Sequence, residues 1–185
     1  MIYLVISSIS SNGRSYMEVL KEISGWVSIS EFLPREVPGD SIDRIIQAAQ
    51  RAPSAKNRQP WRLIVIRDGK VRTRIHEASY LQEHVGQAPV IVAACTTNID
   101  YRMPNGQLAY PIDIGIAVSF MLVQSRAEDL GAHVVSTFDE EQVKEILNVP
   151  FKMRVVALIL LGYPAEVPLQ PKRRPMNQLV AFNHW

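Results

Sequence analysis

At 185 residues, with 47% hydrophobic and 21% charged residues, the chain has the length and composition of one globular domain with a substantial core. Its formal net charge of +2 gives no bulk attraction to nucleic acid or to an anionic membrane, so neither partner is expected. The single cysteine, Cys95, excludes an intrachain disulfide, and no apolar stretch reaches the ~18 residues of a membrane span. A cytoplasmic location is the default reading, and Cys95, inside an apolar run, reads as a buried structural thiol.

Residues 1–16 begin with apolar Met1–Ile6, a poor signal peptide without a positive leader, and end in a Ser/Asn/Gly-rich stretch that reads as an extension or linker. A single domain is expected over 17–185. Val19, Leu20 and Ile23 are spaced for one buried face of a helix starting near Met17 and ended by Gly25; Pro34 and Pro38 make the next segment extended. Asp40 reads as the N-cap of a helix carrying Ile42, Ile45, Ile46 and Ala49, which should stop at Ala52 because Pro53 disfavours helical geometry in its predecessor. Leu63–Ile66 reads as a strand closed by an Asp68-Gly69 turn, residues 71–84 as a helix, and Pro89–Cys95 as a central strand with both faces covered. Asp113–Leu130 reads as the longest helix, with so little polar face that it must be buried all round, in the domain centre or against another subunit. Gly131 ends it. A strand at Val134-Val135, a helix capped by Asp139 with Gln142 three residues on, and a strand over Val155–Leu161 follow. Beyond Gly162-Tyr163-Pro164 a basic, proline-containing tail ends in Phe182-Asn183-His184-Trp185 and reads as an arm wrapping over something, such as a partner subunit.

Strands and helices alternate without a Gly-rich phosphate loop, and His76, His84, His133 and His184 are scattered along the chain, so no metal site is expected. Chemistry concentrates in the nine residues Pro53 to Trp61, which join a helix to a strand and include Ser54, Asn57 and Gln59. These neutral donors and acceptors suit a planar ligand with a polar edge. A loop tied to its own backbone by the same side chains is the alternative, and the residues alone leave both open.

Pro53-Ser54-x-x-Asn57-x-Gln59-Pro60-Trp61, after a helix and before a strand, resembles the signature of the FMN-dependent nitroreductase-like family. Further elements follow in order: Met17–Leu20, Phe32–Pro38, the helix opening at Asp113-Ile114-Gly115 and ending at Leu130-Gly131, and Gly162-Tyr163-Pro164 with the tail to Trp185. The resemblance implies an α+β fold, a three-layer sandwich with a central, mostly antiparallel sheet flanked by helices. It also implies an intimate homodimer with an exchanged C-terminal arm and two FMN sites at the interface. Carried over by position, Ser28, Pro53, Ser54, Ala55, Asn57 and Gln59 belong to the flavin site, and Val135, Ser136 and Thr137 offer it backbone groups. Lys172, Arg173 and Arg174 would cover the phosphate. The implied activity is transfer of electrons from NAD(P)H through FMN to a small acceptor such as a nitroaromatic or quinone, with no catalytic acid–base residue needed. Tyr101, Arg102 and Tyr110, in a loop over 97–112, are candidates for acceptor contact.

The chain departs from the family at one place. Where arginines of an Arg-x-Ser-x-Arg sequence ordinarily bind the phosphate, it has Trp26-Val27-Ser28-Ile29-Ser30, followed by Glu31. Three readings follow: cations of the tail, or Arg51, Arg58 and Arg62, compensate; Trp26 offers a stacking face to another ligand; or the protein is a flavin-free dimeric binding protein on the same scaffold.

Overall fold

The computed structural model describes residues 18–185, so the expectations for residues 1–16 and for Met17 lie outside the described residues. Four strands, β1 (Trp61–Ile66), β2 (Val90–Thr96), β3 (Gly131–Val135) and β4 (Arg154–Gly162), form one antiparallel sheet in the order β1-β2-β4-β3. The helices are α1 (Lys21–Ser24), α2 (Gly39–Gln50), α3 (Gly69–Ala78), α4 (Glu83–Gln87), α5 (Tyr110–Ala127) and α6 (Glu140–Leu147), with short 3-10 turns at Ala55–Asn57 and Met176–Gln178.

The sheet is the middle layer because β2 has no polar face. All seven of its residues are buried, with β1 and β4 hydrogen-bonded on its two edges. Alternate side chains of a strand point to opposite faces. Val90, Val92 and Ala94 accordingly join Ile159 and Leu161 of β4 and the apolar stripes of α2 (Ile42, Ile45, Ala49) and α5 (Ile114, Ala117, Met121). Ile91, Ala93 and Cys95 join Leu158 and Leu160 and the buried residues Ile75 of α3, Val85 of α4 and Val143 of α6. Burial pushes the Cys95 thiol up to about 11, with Glu140 adding to the effect, which keeps it protonated and unreactive. No helix among the described residues is long and apolar enough to cross a membrane.

α2 and α5 lie together on one face, and an ion pair joins their polar sides. Arg44 donates to both carboxylate oxygens of Glu128 at 2.7 Å, and Gln124 donates to the same group at 2.8 Å. The Arg44 guanidinium holds the Glu128 carboxyl down at about 2, against the opposing effect of burial.

Several boundaries differ from those expected. α2 starts at Gly39 after Pro38, leaving Asp40 in the first turn, where its charge suits the helix dipole without capping it. Asp68 accepts from the Val71 amide at 2.9 Å, so Asp68-Gly69 opens α3 and does not close a turn. The helix expected over 71–84 breaks where Tyr80 and Leu81 adopt φ of 56° and 55°, and resumes as α4. α1 is a single turn on which Ile23 is exposed, as are Val19 and Leu20 before it; the buried face expected there is absent from the isolated chain. α5 begins at Tyr110, with Pro111 in its first turn, and ends at Ala127. Within the isolated chain it is not buried all round: Ile112 and Phe120 are 43% and 40% exposed, so the domain centre does not cover it.

Gly131 belongs to β3, and the reason is packing. The extended segment Val27–Ile29 runs beside β3, with the Ile29 amide donating to Ala132 O at 3.0 Å. A Cβ on Gly131 would meet Ile29 Cγ1 at 2.6 Å. Gly131→Ala is therefore expected to destabilise the fold by about 1–3 kcal/mol, read from denaturant midpoints; an unchanged midpoint would show that Ile29 moves aside freely.

Two of the histidines meet in space. His84 stacks on His133 with ring centroids 4.6 Å apart, and His133 Nδ1 lies 3.2 Å from Ile29 O. Burial lowers the His84 pKa below its ordinary 6.5, and the neighbouring His133 and His76 lower it further. The folded state thus binds this proton less readily than the unfolded chain does. His84 imposes no penalty above pH 6.5, and stability is lost as pH falls through 6.5 toward the folded value. Melting temperatures measured from pH 7.5 to 5 should fall less steeply in His84→Gln than in the parent; identical slopes would refute this.

Candidate functional site

The site is built where α2 hands the chain to β1. Arg51 and Ala52 finish the helix, Pro53 breaks it, and Ser54 is extended, with φ −146°. Lys56, Asn57 and Gln59 then adopt φ of 54°, 51° and 48°, the left-handed region that costs a non-glycine residue roughly 1–2 kcal/mol. Such a backbone persists only when other contacts hold it. Within the loop, Ser54 Oγ accepts from the Gln59 amide at 2.9 Å and Ser54 O from the Asn57 amide at 2.9 Å. The Gln59 side chain donates to Asn57 Oδ1 at 3.2 Å. The self-tied turn and the ligand loop, left as alternatives by the residues, are thus not exclusive. Ser54 ties the backbone, while Asn57 and Gln59 stay exposed.

One hydrogen bond anchors this loop to a helix. The Ala55 amide donates at 2.8 Å to Oδ1 of Asp113, a carboxylate only 2% exposed in the first turns of α5. Asp113 appears in the sequence as the opening of a helix, and its role as an anchor was not foreseen. The signal was present: an acid in Ile112-Asp113-Ile114-Gly115-Ile116 sits among apolar neighbours, where a carboxylate needs a partner.

Tyr101 meets the loop directly. Arg58 Cζ stands 3.9 Å from the centre of its ring and Lys56 Nζ 5.4 Å, so two loop cations face one aromatic surface. Arg102 instead turns back on its own segment, donating to Gly106 O at 3.0 Å. Tyr110 lies at the start of α5 and lines a cleft of about 370 Å³ with Ser136, Glu140 and Arg154. Arg154 Nε reaches both Glu140 oxygens at 2.8 Å, and the Val155 amide adds a bond at 3.0 Å. Burial opposes ionisation of Glu140, but these donors outweigh it and hold its carboxyl below the ordinary range. Val135 is buried at the end of β3, Ser136 and Thr137 are exposed beyond it, and Thr137 O accepts from Gln82 Nε2 at 2.7 Å.

The first turn of α5 therefore borders both expected segments: Asp113 is hydrogen-bonded to the 53–59 loop, and Tyr110 shares a cleft with Ser136. The basic triplet is elsewhere in the isolated chain. Lys172 and Arg174 are exposed, and Arg173 lines a hollow of about 260 Å³ with Ile23, Trp26, Leu122 and Val123. That hollow shares no lining residue with the loop or the cleft. Ser28 is exposed between buried Val27 and Ile29, two residues from Trp26. Arg173 and Trp26 thus border one hollow, which brings a tail cation to the segment that carries Ser28. Among the described residues no group of three His, Cys, Asp or Glu side chains could hold a metal ion.

Known proteins share this architecture. The chain is 32% identical to a nitroreductase family protein of Clostridium novyi NT, over 81% of this chain and 87% of that one, and the two folds superpose with a TM-score of 0.75. It is 29% identical to an NADH dehydrogenase of Thermus thermophilus over 84% of this chain and 91% of that protein. It is 25% identical to an FMN reductase [NAD(P)H] of Bacillus subtilis over 90% of this chain and 73% of that protein. The profile of the Nitroreductase family matches residues 23–82 and 76–163, which leaves little of the domain unaccounted for: the chain belongs to the nitroreductase family.

Proposed function

We propose that the protein is a cytoplasmic flavin oxidoreductase that holds FMN and passes electrons from NAD(P)H to a small acceptor such as a nitroaromatic or quinone. The observation that carries this reading is the loop after α2, a strained backbone anchored from beneath by Asp113 with Asn57 and Gln59 left exposed. That surface has the donors and acceptors a flavin ring edge requires and carries no carboxylate to repel it. Held by these residues, FMN would supply the redox chemistry between NAD(P)H and the acceptor.

The chain's own residues bind and orient. Pro53, Ser54, Ala55, Asn57 and Gln59 would line one side of the ring. Backbone groups of Val135, Ser136 and Thr137 would face negative charge that develops on reduction, an electrostatic task that backbone amides perform without a titratable acid. Tyr101, Arg102 and Tyr110 would border the acceptor. Lys172, Arg173 and Arg174 would take the phosphate in place of the arginines displaced by Trp26 and Ser30, with Ser28 beside them.

The reading includes a homodimer. Ile112 and Phe120 leave α5 apolar toward water, Val19, Leu20 and Ile23 are exposed as well, and the tail presents Leu169, Leu179, Phe182 and Trp185 without a core of its own. Pairing of α5 with its copy, and exchange of the tails, would cover these groups and complete two flavin sites between subunits.

Purified protein incubated with excess FMN and passed through gel filtration is expected to keep a stoichiometric yellow chromophore; colourless protein sinks the oxidoreductase reading in favour of a flavin-free binding protein. Replacing Lys172, Arg173 and Arg174 together by Ala should weaken FMN by about one to two decades per lost contact, from a charge-assisted bond of roughly 1.5–3 kcal/mol. Riboflavin, which lacks the phosphate, should bind the triple variant as it binds the parent; equal losses for both ligands would place the cations elsewhere. Phe120→Glu should turn the dimer into monomer in sedimentation velocity and abolish FMN binding with it, whereas a dimeric variant would exclude α5 from the interface.

A further inference from the structure

We propose that Asp113 is the positioning residue of the flavin site: it holds the Ala55–Asn57 turn in its binding conformation without touching the flavin. The inference rests on the flavin reading above but concerns a residue outside the surface described there.

Burying a carboxylate is costly unless its oxygens find donors. Asp113 is 2% exposed, flanked by Ile112 and Ile114, and packed in the layer formed by α2 and α5. A helix that needed only apolar contacts would carry a hydrophobe there. The offset comes from two sources. Its place in the first turns of α5 puts the charge near the positive end of an 18-residue helix, and Oδ1 takes the Ala55 amide at 2.8 Å. The other oxygen, Oδ2, is buried without a hydrogen-bond partner among the described residues, so the Ala55 bond is the one contact that favours this residue type here.

The loop needs that bond. Three left-handed residues within four positions store backbone strain, and the hydrogen bonds from Ser54 and Gln59 lie inside the loop, so they move with it. Among the described residues the Ala55–Asp113 bond is the one hydrogen bond that ties residues 54–59 to anything outside them. The contact of Arg58 with Tyr101 reaches only another loop residue. Asp113 also links the loop to α5, so the position of the turn follows the position of that helix.

The test uses the full-length protein with Asp113→Ala and Asp113→Asn. Asparagine retains an oxygen acceptor for Ala55, removes the charge, and puts an amide nitrogen in place of the unpartnered Oδ2. In flavin-free protein, hydrogen exchange of the peptide covering residues 53–61 should be faster in Asp113→Ala than in the parent, and close to the parent in Asp113→Asn. FMN and riboflavin should both bind Asp113→Ala about ten- to hundred-fold more weakly, since the loss is at the ring and not at the phosphate. Asp113→Asn should recover most of that loss, and the visible spectrum of bound flavin should shift in the Ala variant alone. Parent-like exchange and affinity within twofold in a folded Asp113→Ala would overturn the assignment. If Asp113→Ala does not fold, Asp113→Asn decides: parent-like exchange with a loss below tenfold supports the assignment, and fast exchange or a larger loss overturns it. A parent that binds neither flavin refutes the oxidoreductase reading, while the exchange experiment still judges Asp113 by itself.

Discussion

The absence of a wet face on β2 constrains everything around it. A strand buried on all seven residues must have helices above and below, and in an antiparallel sheet those helices must arrive by connections that leave and re-enter the sheet at its ends. α2 covers one face before β1 is formed, and α5 packs beside it after β2. The chain must then turn from α2 into the edge strand β1 within a few residues, at the end of the sheet where α5 begins. The strained loop and the buried acid that anchors it meet for that reason. Neither is an ornament added to a finished fold; both lie where the layer arrangement forces a helix end, a strand start and a helix start into one place.

The electrostatics of the region divide between its two ends. Around the loop the polar groups are neutral or cationic, and the nearest carboxylate, Asp113, is buried with one oxygen committed to a backbone amide. Glu140 is drawn into a bidentate contact with Arg154 and stays ionised, so it has no proton to give near neutral pH. No group of this kind suits general acid–base catalysis. The arrangement suits a bound cofactor that carries its own reactivity, with the protein supplying orientation and fixed dipoles. At the other end, Trp26, in the segment that leads to Val27–Ile29 beside β3, borders a hollow that Arg173 reaches from the tail. A contact carried by the tail is of a different kind: it comes from a segment exposed throughout the isolated chain, and so depends on whatever orders that segment.

Much of the fold was legible because its signals are local and strong. The apolar run at β2, the 3.6-residue spacing in α2 and the Asp139–Gln142 box at the start of α6 each depend on adjacent residues. Its N-cap half is seen in the Asp139 side chain accepting from the Gln142 amide at 3.0 Å, while the Asp139 amide donates to Ala78 O at 2.8 Å and leaves the box unclosed. The boundaries that shifted did so where a distant partner intervenes. Gly131 looks like a helix stop in one dimension but is demanded by Ile29, which packs where its side chain would be. Tyr80 and Leu81 break a helix that periodicity alone would continue. For the site, the 53–61 loop was visible through its residue types, whereas Asp113 was not, since its meaning lies in a bond to a residue 58 positions away. The stacking of His84 on His133 was hidden in the same way.

α5 carries the remaining tension in the structure. Its inner side is committed to the core through Ile114, Ala117 and Met121 and to the loop through Asp113, while Ile112 and Phe120 face water beside them. Apolar groups on a helix gain by being covered, at about 25 cal/mol for each Å² removed from water. The exposed side lies on the same few turns that position the Ala55 amide, so whatever covers Ile112 and Phe120 also bears on Asp113, and through it on the loop. If a second copy of the chain provides that cover, assembly and ligand affinity share one rigid element and should not be separable by substitution on its outer face. An interface built elsewhere would leave them independent. The helix that was expected to be buried all round is buried on one side by the sheet, and its other side is the place where oligomeric state and chemistry would be joined.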